Sequence, residues 1–153
     1  MRFEQKDIAT VTAPGLIAHG VNCQNVMGSG VARALYMQWH KVKTEYHKWG
    51  SMVLGDTQFV EVEPGLVVAN CFTQEYYGRD FGRRYASLDA IRETLEDAAK
   101  YALDELAVNE VYIPRIGCGL GGLDWDLEVE PMLLEVEEVI ARTHPVIFVV
   151  CDV

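Results

Sequence analysis

Basic charge is scarce in this chain. Thirteen lysines and arginines stand against 23 aspartates and glutamates, for a formal net charge of −10. Such a surface disfavours general contact with DNA, RNA or anionic membranes. A loop of backbone N–H groups can still hold an anion, because net charge describes the far field and a loop sets the near field. Cysteine is limited to Cys23, Cys71, Cys118 and Cys151, all far apart and with no CxxC pair. That spacing fits neither a zinc site nor a disulfide framework. No apolar run approaches the ~18 residues of a membrane span, and "MRFEQKDIAT" carries no secretory signal. These absences point to a reducing, cytoplasmic compartment without membrane partners. His40, His47 and His144 read as surface residues and His19 as a satisfied core histidine. None has HxxxH spacing or carboxylates placed for a metal, so neither a metal nor a cofactor is expected.

What is present is half hydrophobic and 153 residues long, enough for the core of one domain spanning 1–153. An acidic monomer is the default. "LIAHGV" (16–21), bounded by Pro14-Gly15 and Asn22, is a short apolar run that predicts a buried strand. Val31, Leu35, Trp39, Val42 and Tyr46 then fall on one helical face, with Gly50 as the stop. "TQFVEVE" (57–63) alternates as a strand with one wet face, Phe59 and Val60 leaning inward. "LVVANCF" (66–72) is apolar apart from Asn70, as a central strand would be. Leu88, Ile91, Leu95, Ala98, Ala102 and Leu106 predict a helix capped by Ser87. "EVYIPRI" (110–116) and "VIFVVCDV" (146–153) read as strands. Between them runs a helix with Leu133, Leu134, Val136 and Ile140 inward and Pro131 in its first turn. Strand and helix alternate, which predicts a mixed α/β layer structure.

In such sheets ligands bind where strands end and loops enter helices, and three loops stand at such places. The first, Cys23 to Gly30, has Gly28 and Gly30 ahead of a helix whose first N–H groups and dipole favour an anion. No lysine follows these glycines, so this is not the Gly-Lys-Ser/Thr nucleotide loop. The second, "GCGLGGLDW" (117–125), holds four glycines in its first six residues, more than a plain connection needs. Two side-chain-poor loops facing one cleft suit an extended anion such as a diphosphate. Asn22, ending a buried strand, can donate and accept together, as a ribose diol requires, or can bond local backbone. Asn70, buried in a central strand, needs partners of its own. Asp7 can accept from an exocyclic amine or serve as a turn residue. The third loop, after Phe72, carries Tyr76, Tyr77 and Phe81, which can pack on a sugar or ring or fill space beneath the loop.

"KDIAT", "GLIAHGVNCQNVMGSGVARAL", "VVANCFTQ" and "IPRIGCGLGGLDW" together resemble the macro domain, the ADP-ribose-binding module, over nearly the whole chain. The resemblance implies a three-layer α/β/α sandwich on a mixed central sheet. It implies that Asp7, with Ile8 beside it, meets the adenine amino group, and that Asn22, with Val21, lies at the distal ribose. Met27, Gly28, Ser29, Gly30, Val31 and Ala32 would form the first phosphate loop. Ile116, Gly117, Cys118, Gly119, Leu120 and Gly121 would form the second, with the Cys118 N–H binding the ligand.

Activities differ within the family, from binding ADP-ribose alone to removing ADP-ribose, acetyl or phosphate groups. One hydrolase branch uses a lysine in the loop after the fourth strand; the matching place here is Gln74, and no lysine lies between Lys48 and Lys100. Another carries an aspartate directly after "GCGL"; here that place is Gly121. "FTQEYYGRD" followed by "RRYASLDAI" instead looks like the ADP-ribose 1''-phosphate phosphatase branch. On that reading the ligand is a small ADP-ribose derivative held by Asn22 and Gln74. Asp80 orients a water, and Arg79, Arg83 or Arg84 neutralises charge. The alternatives are a non-catalytic ADP-ribose reader and a hydrolase that removes ADP-ribose or acetyl-type adducts.

Overall fold

A computed structural model describes residues 1–80 and 82–153; Phe81, assigned above to the third loop, lies outside the described residues. Six strands form one sheet: β1 (Arg2–Gln5), β2 (Gly15–Asn22), β3 (Thr57–Glu63), β4 (Leu66–Gln74), β5 (Glu110–Ile113) and β6 (Ile147–Asp152). Their spatial order is β1-β6-β5-β2-β4-β3. Every pairing is parallel except that of β3 with β4. The C-terminal ends of β1, β6, β5, β2 and β4 therefore all lie along one edge of the sheet.

Among the described residues, α1 (Gly30–Gln38) and α2 (Lys41–Lys48) cover one face, and α3 (Leu88–Leu106) and α4 (Glu130–Ile140) the other. The continuous apolar runs follow from this sandwich, since a parallel sheet covered on both sides has no wet face. Along β2, Leu16 and Ala18 enter the core under α3 and α4, while Ile17 and Val21 enter the core under α1 and α2. Val67 and Ala69 of β4 divide from Leu66 and Val68 in the same way. No helix among the described residues is long and apolar enough to cross a membrane.

The structure departs from the sequence reading at several places. The single helix expected from Val31 to Tyr46 is two, because Trp39 adopts an extended conformation (φ −134°, ψ 98°). Its indole N–H donates to Glu63 Oε2 at 3.1 Å. The wet face expected of β3 is partly covered: Gln58 and Val60 are buried on one side, and Phe59 stacks on Tyr101 on the other. Strand β5 stops at Ile113, before Pro114, which has no N–H for the ladder. Leu134, expected inward, is exposed. A π turn over Trp125–Val129 leads into α4 and was not anticipated. Strand β1 was also not anticipated, since three of its four residues are exposed. Ser87 does cap α3, its hydroxyl accepting from the Ala90 N–H at 3.1 Å.

Candidate functional site

The common edge of strand ends carries a cleft of about 630 Å³. Loop one supplies Met27 to Ala32 on one side, and Cys118 and Leu120 of loop two contribute to the lining. Val21, Asn22 and His19 come from β2, and Gln74, Tyr77, Gly78 and Arg79 from the end of β4 and the loop beyond it. Residues of both glycine-rich loops thus line one cleft.

Their amides are largely unclaimed. Among the described residues, no protein acceptor meets the N–H groups of Gly28, Ser29, Gly30, Val31 or Ala32, nor those of Gly119 or Leu120. The first set heads α1, and the second opens the 3₁₀ turn Gly119–Gly121, so each is orphaned by helix geometry. Cys118 is the exception: its N–H donates to Arg115 O at 3.2 Å and is not free for the ligand contact assigned to it. Its thiol is pushed up to about 11, by burial first and then by Asp124. The Cys23 thiol is raised to about 11 by burial and by Glu75. Neither is a thiolate at neutral pH.

The glycines divide by role. A Cβ on Gly28, Gly30 or Gly119 would meet nothing within 4 Å. A Cβ on Gly117 would lie 2.6 Å from Ile91 Cδ1, so this glycine packs loop two onto α3. Ile116 and Gly121 are buried, the latter beneath Ala86, and form the floor of loop two rather than the cleft lining.

Asn22 is more committed than its sequence position implied. Its Nδ2 donates to Val26 O at 2.8 Å, and its Oδ1 accepts from Gln24 N at 2.9 Å. The Tyr46 hydroxyl lies 3.0 Å from the same Oδ1 and 2.8 Å from Asn22 O. Its acceptor is therefore taken, and one N–H remains for a ligand. Gln74 is adjacent in register and lines the cleft, with its Nε2 donating to Tyr76 O at 2.8 Å. Asp80 is exposed and does not line the cleft; its N–H donates to the Tyr85 hydroxyl at 3.3 Å. Asp7 and Ile8 also lie outside this lining, at the end of β1. Asp7 Oδ1 caps its own turn by accepting from Ala9 N at 2.9 Å, leaving its second oxygen exposed, while Ile8 is buried under α1.

Two lining residues with polar side chains, Arg115 and His19, were given no site role in the sequence reading. Arg115 lies beside loop two and pairs with both oxygens of Asp152, at 2.9 and 3.1 Å. His19 is buried as expected but is not fully satisfied. Gln58 Nε2 donates to Glu45 O (2.8 Å), so Gln58 Oε1 accepts from Asn70 Nδ2 (3.0 Å). Asn70 then presents Oδ1 to His19 Nε2 at 2.5 Å. That chain puts the histidine proton on Nε2 and leaves Nδ1 as a buried acceptor with no partner. Burial lowers its pKa to about 4, so the ring is neutral at pH 7. Among the described residues no carboxylate lines the cleft, although the chain has 23. The arrangement suits an anionic ligand and offers no acidic group to repel it.

No model of a known family matches the chain. It is 31% identical over 138 residues to an uncharacterised 17.5 kDa protein of Enterobacteria phage T4, covering 83% of this chain and 84% of that protein. It is 30% identical over 152 residues to an ADP-ribose 1''-phosphate phosphatase of Meyerozyma guilliermondii, covering 80% of this chain and 84% of the yeast protein. A solved macrodomain protein from Streptomyces coelicolor matches with a TM-score of 0.77 at 28% identity, over 99% of this chain and 98% of its own.

Proposed function

Because this chain belongs to the macro domain family, we propose that its cleft binds ADP-ribose and that the protein hydrolyses the phosphate monoester of ADP-ribose 1''-phosphate. The observation that carries this reading is the convergence of unclaimed main-chain amides from two loops on a cleft that no carboxylate lines among the described residues. The amides of Gly28 to Ala32 and of Gly119 and Leu120 hold the diphosphate. Asp7 and Ile8 receive the adenine at the β1 end. Val21 and Asn22 meet the distal ribose, Asn22 through its one remaining N–H. Gln74 lies next to them, where a substituent on that ribose emerges.

In the reaction a water oxygen attacks phosphorus and the bond from phosphorus to the ribose oxygen breaks. The water's proton passes to the departing oxygen, giving ADP-ribose and inorganic phosphate. Cys118, the cysteine that lines the cleft, is a thiol at neutral pH, so no cysteinyl intermediate is involved. Rate enhancement comes from positioning and from donors aimed at the phosphoryl oxygens. Asp80 orients the water only by moving into the cleft from its exposed place on the loop. Turnover unchanged in Asp80→Ala would remove it from the mechanism.

One observation favours a second reading, an ADP-ribose reader without chemistry: among the described residues the cleft lining contains no carboxylate to serve as a base, and His19 is a weak one. Calorimetry with ADP-ribose and AMP, run beside a phosphate-release assay on ADP-ribose 1''-phosphate, separates the two. Tighter binding of ADP-ribose than of AMP, with phosphate released, supports the phosphatase. The same binding with no release above buffer leaves the reader. Equal affinity for the two ligands removes the distal ribose from recognition.

A further inference from the structure

We infer that Arg79 selects ligands carrying an anionic substituent on the distal ribose over those carrying a neutral one. This rests on the placement of that ribose at Asn22 and Gln74 proposed above. Arg79, Arg83 and Arg84 lie on the third loop and Arg115 beside loop two, and three of these four are engaged. Arg84 pairs with Glu128 at 2.6 Å. Arg115 is held by both oxygens of Asp152 and lies over the rings of Phe3 and Trp125. Arg83 sits 4.8 Å from the centre of the Tyr85 ring and does not line the cleft. Arg79 lines it, and has no carboxylate partner among the described residues.

The backbone that delivers Arg79 is pinned on both sides. Before it, Gly78 lies so close to Tyr85 that a Cβ there would collide with the phenol oxygen. After it, the Asp80 N–H donates to that hydroxyl at 3.3 Å. Tyr85 is buried, and its own N–H and that of Ala86 donate to Gly121 O at 2.9 and 3.0 Å. The loop bearing Arg79 is thus hung from the second glycine-rich loop. Strand order places it at the β4 end of the cleft, away from Asp7 at the end of β1. A guanidinium there, in the same cleft lining as Gln74 and with no carboxylate partner among the described residues, matches a phosphate bidentately. A neutral ester or an unsubstituted ribose gives it nothing to pair with.

The test compares wild type, Arg79→Gln and Arg79→Lys against ADP-ribose and ADP-ribose 1''-phosphate. Calorimetric Kd is used where no phosphate is released, and initial-rate KM where it is. Wild type is expected to prefer the phosphorylated ligand by roughly ten-fold. Arg79→Gln should abolish that preference while leaving ADP-ribose affinity within about two-fold, and Arg79→Lys should restore part of it. The wild-type preference should also shrink as salt rises. A preference that survives in Arg79→Gln, or an equal loss for both ligands, overturns the inference. A wild type that releases no phosphate defeats the phosphatase reading alone, because the binding preference still decides the role of Arg79.

Discussion

Gly28 and Gly117 belong to facing loops yet serve different ends. Gly28 has free space where a side chain would project and no positive φ, so the fold tolerates a larger residue, and on the proposed reading that residue blocks the ligand. Gly117 combines a φ of +80° with an occupied Cβ position against Ile91. Gly28→Val is expected to lower ADP-ribose affinity by at least about ten-fold (~1.4 kcal/mol) with an unchanged melting temperature. Gly117→Ala should instead cost roughly 2–3 kcal/mol of stability, through strain and overpacking. Calorimetry and denaturant melts read the two effects separately; reversed outcomes would exchange the glycines' roles. The sequence displays the glycines but cannot sort them, because the sorting depends on Ile91, Ala86 and Arg83 folding back onto loop two. His19 was half legible for a similar reason. Its burial follows from apolar neighbours, whereas its unpartnered Nδ1 follows from the amides of Asn70 and Gln58, far away in sequence. That buried neutral ring has a consequence for pH. As pH falls from 6.5 toward 4, the unfolded chain takes up a proton on His19 that the folded chain refuses, so stability is lost over that window. The full loss is about 3 kcal/mol. Urea melts at stepped pH should show wild type losing its margin over His19→Gln by this amount; a constant margin would mean the ring is not held neutral.

At the scale of elements, the pattern of apolar residues was most readable where both faces of a strand are covered. β2 and β4 are continuous apolar runs because two helical layers demand it, and their spans matched the sequence reading to within two residues. β1 was invisible for the opposite reason: it is an edge strand whose side chains mostly face solvent, held by its pairing with β6. The break between α1 and α2 was equally hidden. Leu35, Val42 and Tyr46 all reach one core, so the apolar periodicity continues through a turn where the backbone does not. Local capping chemistry was more dependable, as Ser87 illustrates. Its hydroxyl caps α3 while its N–H donates to Thr73 O at 2.7 Å, tying the helix start to the end of β4. Ser87→Ala removes the first bond and keeps the second. It is expected to cost about 1 kcal/mol, a fall of roughly 2–4 °C in melting temperature, with ADP-ribose affinity unaltered. A large loss of affinity would mean that α3 positions the cleft more directly than its place behind the sheet suggests.

Across the whole molecule, the strand order decides how far the site extends. Asp7 follows β1, Asn22 ends β2 and Gln74 ends β4, so four strand steps, about 19 Å, separate the ends of the crest. An elongated ligand lying across the strand ends can touch all three, and the sequence order of the motifs alone gives no hint of this geometry. The charge distribution at this scale is unusual for an anion binder: net −10 overall, with a cleft lined by amides, two arginines and no described carboxylate. One of those arginines, Arg115, is already paired with Asp152. Main-chain amides act at contact distance and are little affected by screening, whereas the protein's negative far field opposes an approaching anion and is screened within about 10 Å at 0.1 M salt. Raising salt from low to physiological strength should therefore leave ADP-ribose affinity level or increase it slightly. A site built on lysines and arginines would show the steep fall seen when many cations neutralise phosphates. Calorimetric titrations with ADP-ribose over a salt series decide between them: a level or rising affinity assigns the diphosphate to backbone N–H groups, and a fall of ten-fold or more assigns it to cationic side chains.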